Sequence, residues 1–124
     1  MATAIDVEAE RAAIVRTVHD YYQGWFDGDR GRMQRALHAG LAKRSIEPRD
    51  GSLEQITAAE MVEWTATGQG RRDDPAERRY DIEIAHLSEH IAAVTVTGPV
   101  YDEYLHLVRT PGGWKIINAL YRRV

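Results

Sequence analysis

Apolar positions between residues 7 and 26 recur at helical spacing. Val7, Ile14, Val18, Tyr21 and Trp25 fall within an arc of about 60° on a helical wheel, and Val15, Tyr22 and Phe26 widen that stripe on one side. The pattern predicts one long amphipathic helix. Thr3-Ala4-Ile5-Asp6 has the spacing of a capping box, and Asp6, Glu8 and Glu10 place negative charge near the positive end of the helix dipole. Arg11 interrupts the stripe, so the first turns extend past the core. Gly24 costs about 1 kcal/mol relative to alanine in a helix interior, a cost that close packing would explain. Asp27-Gly28-Asp29 ends the helix, and Asp29 is placed to cap a short second helix over about residues 30–37, with Met33, Ala36 and Leu37 facing inward.

Residues 41–46 and 53–56 read as short strands separated by the turn signal Glu47-Pro48-Arg49-Asp50-Gly51-Ser52. Thr57-Ala58-Ala59-Glu60 is a second capping box and starts a third helix carrying Met61, Val62 and Trp64. Residues 68–79 (GQGRRDDPAERR) are polar and rich in turn formers, and read as a mobile loop. His38 falls in a loop after the second helix.

The last third alternates with the period of a strand. Residues 80–87, 91–97, 101–109 and 114–122 are four successive strands, the last two joined as a hairpin around Thr110-Pro111-Gly112-Gly113. If Arg109 pairs with Trp114, strict alternation gives two faces. One carries Tyr101, Glu103, Leu105 and Leu107 with Trp114, Ile116, Asn118 and Leu120. The other carries Tyr104, His106 and Val108 with Ile117, Ala119 and Tyr121. Both are largely apolar, so both call for cover, one from the helices and the other from a second subunit. Isolated polar residues in such rows are informative, here Glu103, Asn118 and His106. Helices grouped before consecutive strands predict an α+β fold with an antiparallel sheet.

The chain has 124 residues, the size of one domain spanning 1–124 with a core that needs no staples. Its 44% hydrophobic and 28% charged residues are ordinary for a soluble protein, and its net charge of −3 gives no basic footprint for nucleic acid. Cysteine is absent, which removes disulfides, thiolate metal sites and cysteine nucleophiles and fits a cytoplasmic location. The acidic N-terminus lacks the apolar run of a signal peptide, and no segment reaches the length of a membrane span. None of the five histidines forms a His-x-His or HExxH motif. No phosphate-binding glycine loop or nucleophile elbow occurs, so neither metal nor cofactor is expected.

The helix ending in YYQGWFDGD, the capped third helix, the segment ALHAGLAKRS (36–45) and the hairpin YDEYLHLVRTPGGWKIINALYRR (101–123) resemble the nuclear transport factor 2-like superfamily. More narrowly they resemble its bacterial "putative lumazine-binding" branch, relatives of polyketide cyclases and ketosteroid isomerase. The resemblance covers nearly the whole chain. It implies an α+β cone with the cystatin-like arrangement, in which a curved antiparallel sheet wraps three N-terminal helices around a cavity. It also implies a homodimer through the outer sheet face. The isomerase pattern puts its oxyanion tyrosine on Tyr21, its general-base aspartate near Ser45 and its protonated carboxylic acid near Tyr104. The carboxylate base is therefore missing, which argues against steroid isomerase chemistry. The same alignment turns Tyr104, His106, Ile117, Ala119 and Tyr121 toward the cavity. Tyr21 and Trp25 face it as well, with Tyr22 and Phe26 at its edge.

The expected ligand-binding set is Tyr21, Trp25, Arg44, Met61, Trp64, Tyr104, His106, Ile117 and Tyr121. Alternation points only one of Lys43 and Arg44 inward, where it could pair with an acidic ligand or form a surface salt bridge. His106 is the acid–base candidate, with Tyr21 and Tyr104 as hydroxyl donors, although a core histidine bonded to Tyr104, Tyr121 or Tyr21 is the favoured reading of that residue. Glu103, Trp114 and Asn118 are expected at the dimer interface. The leading expectation is a small-molecule-binding protein with an aromatic, mostly apolar pocket. The alternatives are a cofactor-free lyase, isomerase or hydrolase using His106, and an interaction module with a vestigial pocket.

Overall fold

The computed structural model describes residues 6–124. Helix α1 spans Val7–Asp27, and its N-cap is Asp6, whose carboxylate accepts the Ala9 N–H. The rest of the expected Thr3–Asp6 capping box lies outside the described residues. Gly28 closes α1 with φ 68°, a left-handed conformation that favours glycine. Asp29 accepts the Arg32 N–H at 3.1 Å and starts α2, Arg30–Ala36. The corner is tight. A Cβ on Gly24 would stand 3.1 Å from Arg32 Cβ and from the Met33 nitrogen, which explains a glycine inside α1.

Strand β1 (Leu37–Ile46) follows α2 without a loop, so His38 belongs to a strand. Its ring turns back to accept the Gly40 N–H at 2.9 Å. β2 is Leu53–Ile56 and α3 is Ala58–Ala66. Both bonds of the α3 capping box form, Glu60 N–H to Thr57 Oγ1 at 3.1 Å and Thr57 N–H to Glu60 Oε1 at 3.0 Å. The polar stretch after α3 is built rather than loose. Gln69 N–H donates to Trp64 O, Arg72 N–H donates to Phe26 O, and Pro75–Arg78 forms a 3-10 turn.

β3 (Asp81–Leu87), β4 (Ile91–Thr97), β5 (Tyr101–Thr110) and β6 (Gly113–Arg123) complete a curved, unclosed six-stranded sheet in the order β2-β1-β6-β5-β4-β3. The sheet is mixed, not wholly antiparallel as the element order suggested, because β1 enters beside β6 and runs parallel to it. The helices cover one face. Ile14, Val18, Met33, Leu105, Leu107 and Ile116 are fully buried between the layers.

The hairpin registers as expected at its tip, with Arg109 opposite Trp114, but alternation then breaks. Leu107 faces Ile116 while His106 faces Asn118, so Ile117 is an extra residue in β6. A one-residue bulge reverses every later side chain of the strand. Trp114, Ile116, Ala119 and Tyr121 therefore share the inner face with Glu103, Leu105 and Leu107, while Asn118 and Leu120 point outward.

Two expectations change as a result. Glu103 and Trp114 were expected at an outer dimer surface, yet they lie under the helices, 3% and 4% exposed. Tyr104 and His106 were expected in the cavity, yet both are exposed on the outer face, Tyr104 opposite Leu120 and His106 beside Asn118. The face holding three consecutive inward leucine or glutamate positions wins because Leu105 and Leu107 bury completely there, whereas histidine tolerates water.

Candidate functional site

A cavity of about 460 Å³ opens between α1, α3, the 69–72 segment and the inner face of β1, β2, β5 and β6. Its floor is a buried polar cluster. Glu103, from β5, accepts the Tyr21 hydroxyl on Oε2 at 2.8 Å and the Tyr22 hydroxyl on Oε1 at 2.7 Å. Lys43, from β1, places Nζ 3.1 Å from Glu103 Oε2 and also donates to the Tyr21 hydroxyl. The ammonium lies over the rings of Tyr121 at 4.4 Å and Tyr21 at 4.8 Å. Adjacent positions on α1 supply both tyrosines because the inner stripe of the helix is wide enough to hold Tyr21 and Tyr22 together.

Burial sets the protonation of this cluster. It raises the Tyr21 and Tyr22 hydroxyls well above their ordinary range, and the neighbouring Glu103 carboxylate raises them further. The same burial lowers the Lys43 ammonium, while Glu103 works in the opposite direction. At neutral pH both tyrosines are neutral donors whose protons are committed to one carboxylate. Tyr21 therefore has no proton to offer a ligand carbonyl, and the oxyanion role that the isomerase pattern would give it has no free donor here.

The walls are aromatic. Trp25 Nε1 donates to the Tyr101 hydroxyl at 3.2 Å, and Tyr101 meets Tyr121 edge-on with centroids 5.9 Å apart. Met61 and Trp64 close the side formed by α3. Gly70 lies flat on the Trp25 indole, so that a Cβ there would stand 2.2 Å from ring carbons. Gly70→Ala is therefore expected to displace the indole, destabilise the protein by about 1–3 kcal/mol and shift its tryptophan emission. Urea denaturation and fluorescence check this, and an unchanged spectrum with unchanged stability would contradict the placement.

Of the residues singled out in the sequence, Tyr21, Trp25, Met61, Trp64 and Tyr121 line this cavity. Arg44 does not, because β1 alternation turns Lys43 inward and Arg44 to solvent. Tyr104, His106 and Ile117 do not, for the reasons of face and bulge given above. His106 cannot reach Tyr21 from the outer face, so an acid–base pair of these two residues does not form. The cluster members not counted among the expected ligand contacts are Tyr22, Lys43 and Glu103. A signal for two of them was present: each is a single charge in an otherwise apolar or small inward row, Lys43 after Leu41 and Glu103 before Leu105. The pocket is also less apolar than expected, since Arg72, Glu54 and Arg123 line it as well. Among the described residues no group of three or more potential metal ligands occurs, and no helix is long and apolar enough to cross a membrane.

A family profile described as putative lumazine-binding matches residues 9–122. No curated protein matches the chain. Among solved structures, an NTF2-like protein of unknown function from Silicibacter pomeroyi is similar, with a TM-score of 0.79, 19% identity, and coverage of 97% of this chain and 100% of that one. A second NTF2-like protein of unknown function, from Shewanella baltica, gives a TM-score of 0.71 at 16% identity, covering 98% of each chain. A domain with a cystatin-like fold from Nostoc punctiforme gives a TM-score of 0.63 at 13% identity, covering 94% of this chain and 78% of that one. At these identities the likeness concerns the fold.

Proposed function

The chain belongs to the putative lumazine-binding family of NTF2-like proteins, and from that membership we propose that it binds a small, flat, aromatic molecule in the cavity above Glu103. The observation that carries the proposal is the cavity itself. Its volume of about 460 Å³ falls in the range of small-molecule sites. Aromatic walls suit a planar body, and the floor is fixed before any ligand arrives by three hydrogen-bonding partners on one carboxylate. The family description points to the same ligand class, since lumazine is a flat bicyclic heterocycle. The whole chain, 1–124, acts as one binding domain in this reading, located in the cytoplasm.

The test is a fluorescence titration with N-phenyl-1-naphthylamine, a neutral aromatic reporter, on the purified protein. Saturable binding of one probe per chain is expected, weakened about tenfold or more by Trp25→Ala. Absence of binding, or binding indifferent to Trp25, would overturn the proposal. Native mass spectrometry followed by denaturing extraction then identifies any co-purified molecule.

We also propose that the outer sheet face forms a homodimer. The support is a cross-strand pair of exposed apolar residues, Tyr104 at 60% and Leu120 at 46% exposure, beside His106 and Asn118. Light scattering should give twice the chain mass for the wild type and a monomer for Tyr104→Lys. A monomeric wild type would refute it.

A further inference from the structure

Arg72 is the anomaly of the pocket. Its Nε is buried and has no hydrogen-bond partner among the described residues. Among the described residues the rest of its guanidinium reaches only the Arg71 carbonyl, at 3.5 Å, and no acidic side chain forms an ion pair with it. An arginine donor left in this way loses its water without replacement, and a native structure keeps such a group when something else satisfies it. The residue is half-buried and lines the same cavity as Trp25, Tyr101 and Tyr121.

Its position is fixed from both sides. The Arg72 N–H donates to Phe26 O at 3.3 Å, and its own carbonyl accepts from Arg78, which is paired with Asp27 at 2.7 Å. Two residues earlier, Gly70 presses on Trp25. The backbone of Arg72 is thus held at the cavity, and among the described residues its guanidinium has no countercharge.

The charges around the cavity point the same way. Lys43 is committed to Glu103. Arg72 and the exposed Arg123 at the rim remain, and Glu54 forms an ion pair with neither of them. The lining carries three cations against two carboxylates, although the chain as a whole has a net charge of −3. A locally positive pocket in an acidic protein favours entry of an anion.

We propose that the ligand is a flat aromatic acid bearing a single oxyanion, a carboxylate or sulfonate, and that Arg72 binds that oxyanion while the rings lie against Trp25 and Tyr121. Guanidinium offers planar, charge-assisted donors that match such a group. The inference rests on the ligand-binding reading above and adds to it the charge of the ligand and the residue that reads it.

The test compares two probes with one arylamine skeleton, 8-anilinonaphthalene-1-sulfonate and neutral N-phenyl-1-naphthylamine, on the full chain at low ionic strength. The sulfonate is expected to bind about tenfold more tightly. Arg72→Gln should abolish that preference, weakening the sulfonate about tenfold more than the neutral probe, and Arg72→Lys should restore part of it. A cooperative urea transition certifies that the variant is folded. Equal affinity of the two probes in the wild type would overturn the inference and leave the binding reading intact. Equal weakening of both by Arg72→Gln would also overturn it, because Arg72 would then shape the pocket without reading charge. Failure of both probes to bind the wild type would overturn the binding reading, and this inference with it.

Discussion

Replacing Glu103 with alanine is expected to destabilise the protein by about 3–5 kcal/mol, the cost of leaving a buried charge without its partner. For a chain of this length that is a fall in Tm of roughly 10–20 °C. Lys43 is 6% exposed and its ammonium would keep only a tyrosine oxygen and two aromatic faces. Tyr21 and Tyr22 would each lose the acceptor of a buried hydroxyl. The loss is a large share of the roughly 5–15 kcal/mol by which domains are stable. Adding Lys43→Met to a Glu103→Leu background should recover much of it, because a well-packed apolar pair avoids desolvating two ions. Urea denaturation of the two single variants and the pair measures this. A cost below about 1 kcal/mol for Glu103→Ala would mean that water reaches Lys43 and that the cluster is not the sealed floor described above.

Alkaline pH is the second strong lever. In the folded chain Tyr21 and Tyr22 keep their protons well above the ordinary tyrosine range, because burial and Glu103 oppose a phenolate. In the unfolded chain they ionise near pH 10. Their contribution is therefore fully present below about pH 10 and is lost as pH rises beyond it, where the unfolded state binds fewer protons than the folded state. Each tyrosine contributes a slope of about 1.4 kcal/mol per pH unit.

Lys43 has the opposite sign. Its folded-state pKa is lowered from 10.5, so between that lowered value and 10.5 the unfolded chain holds the extra proton and stability gains with pH. Above about pH 10.5 this offset ends and the two tyrosines act together. Tyr80 and Tyr121, also raised by burial, add in the same direction. Urea denaturation at about pH 10.5 and about pH 11.5, above the Lys43 window, with tyrosinate absorbance as a second probe, should reveal a steep loss that coincides with phenolate appearance. Tyr22→Phe should remove one proton from the slope. Stability that stays level from about pH 10.5 to about pH 11.5 would rule out a cluster in which both hydroxyls are sealed.

The two levers act on the same four side chains, and these residues join elements far apart in the chain. Tyr21 and Tyr22 come from α1, Lys43 from the strand that follows α2, and Glu103 from the fifth strand. The cluster ties the helical layer to the sheet at the base of the cavity. A ligand above it would therefore meet a floor whose polar groups are already satisfied and, at the side, an arginine whose Nε has no partner among the described residues.

Much of this was legible in the sequence. The period of the stripe from Val7 to Trp25 gave α1, and Asp29 and Thr57 marked the starts of α2 and α3, because caps and helical periodicity depend only on neighbouring residues. The four long strands and the Arg109–Trp114 register followed from alternation and turn chemistry, which are equally local. The inward stripe of Tyr21 and Trp25 also came from that pattern together with the family likeness.

Tertiary structure decided what local rules leave degenerate. Alternation states that Glu103 and Tyr104 point to opposite faces but not which face the helices cover; packing chose the side on which Leu105 and Leu107 bury. A single extra residue at Ile117 then turned Tyr121 inward and Asn118 outward, and nothing in a strict two-residue period announces a bulge. The parallel pairing of β1 with β6 likewise exists only once the chain has folded back on itself, and it is this pairing that sets Lys43 beside Ala119, within reach of Glu103. The sequence by itself determined the elements and the inner aromatic stripe of α1, since those depend on short-range spacing. The buried charges that floor the pocket, and the arginine beside it that has no ion pair among the described residues, were decided by contacts between residues tens of positions apart.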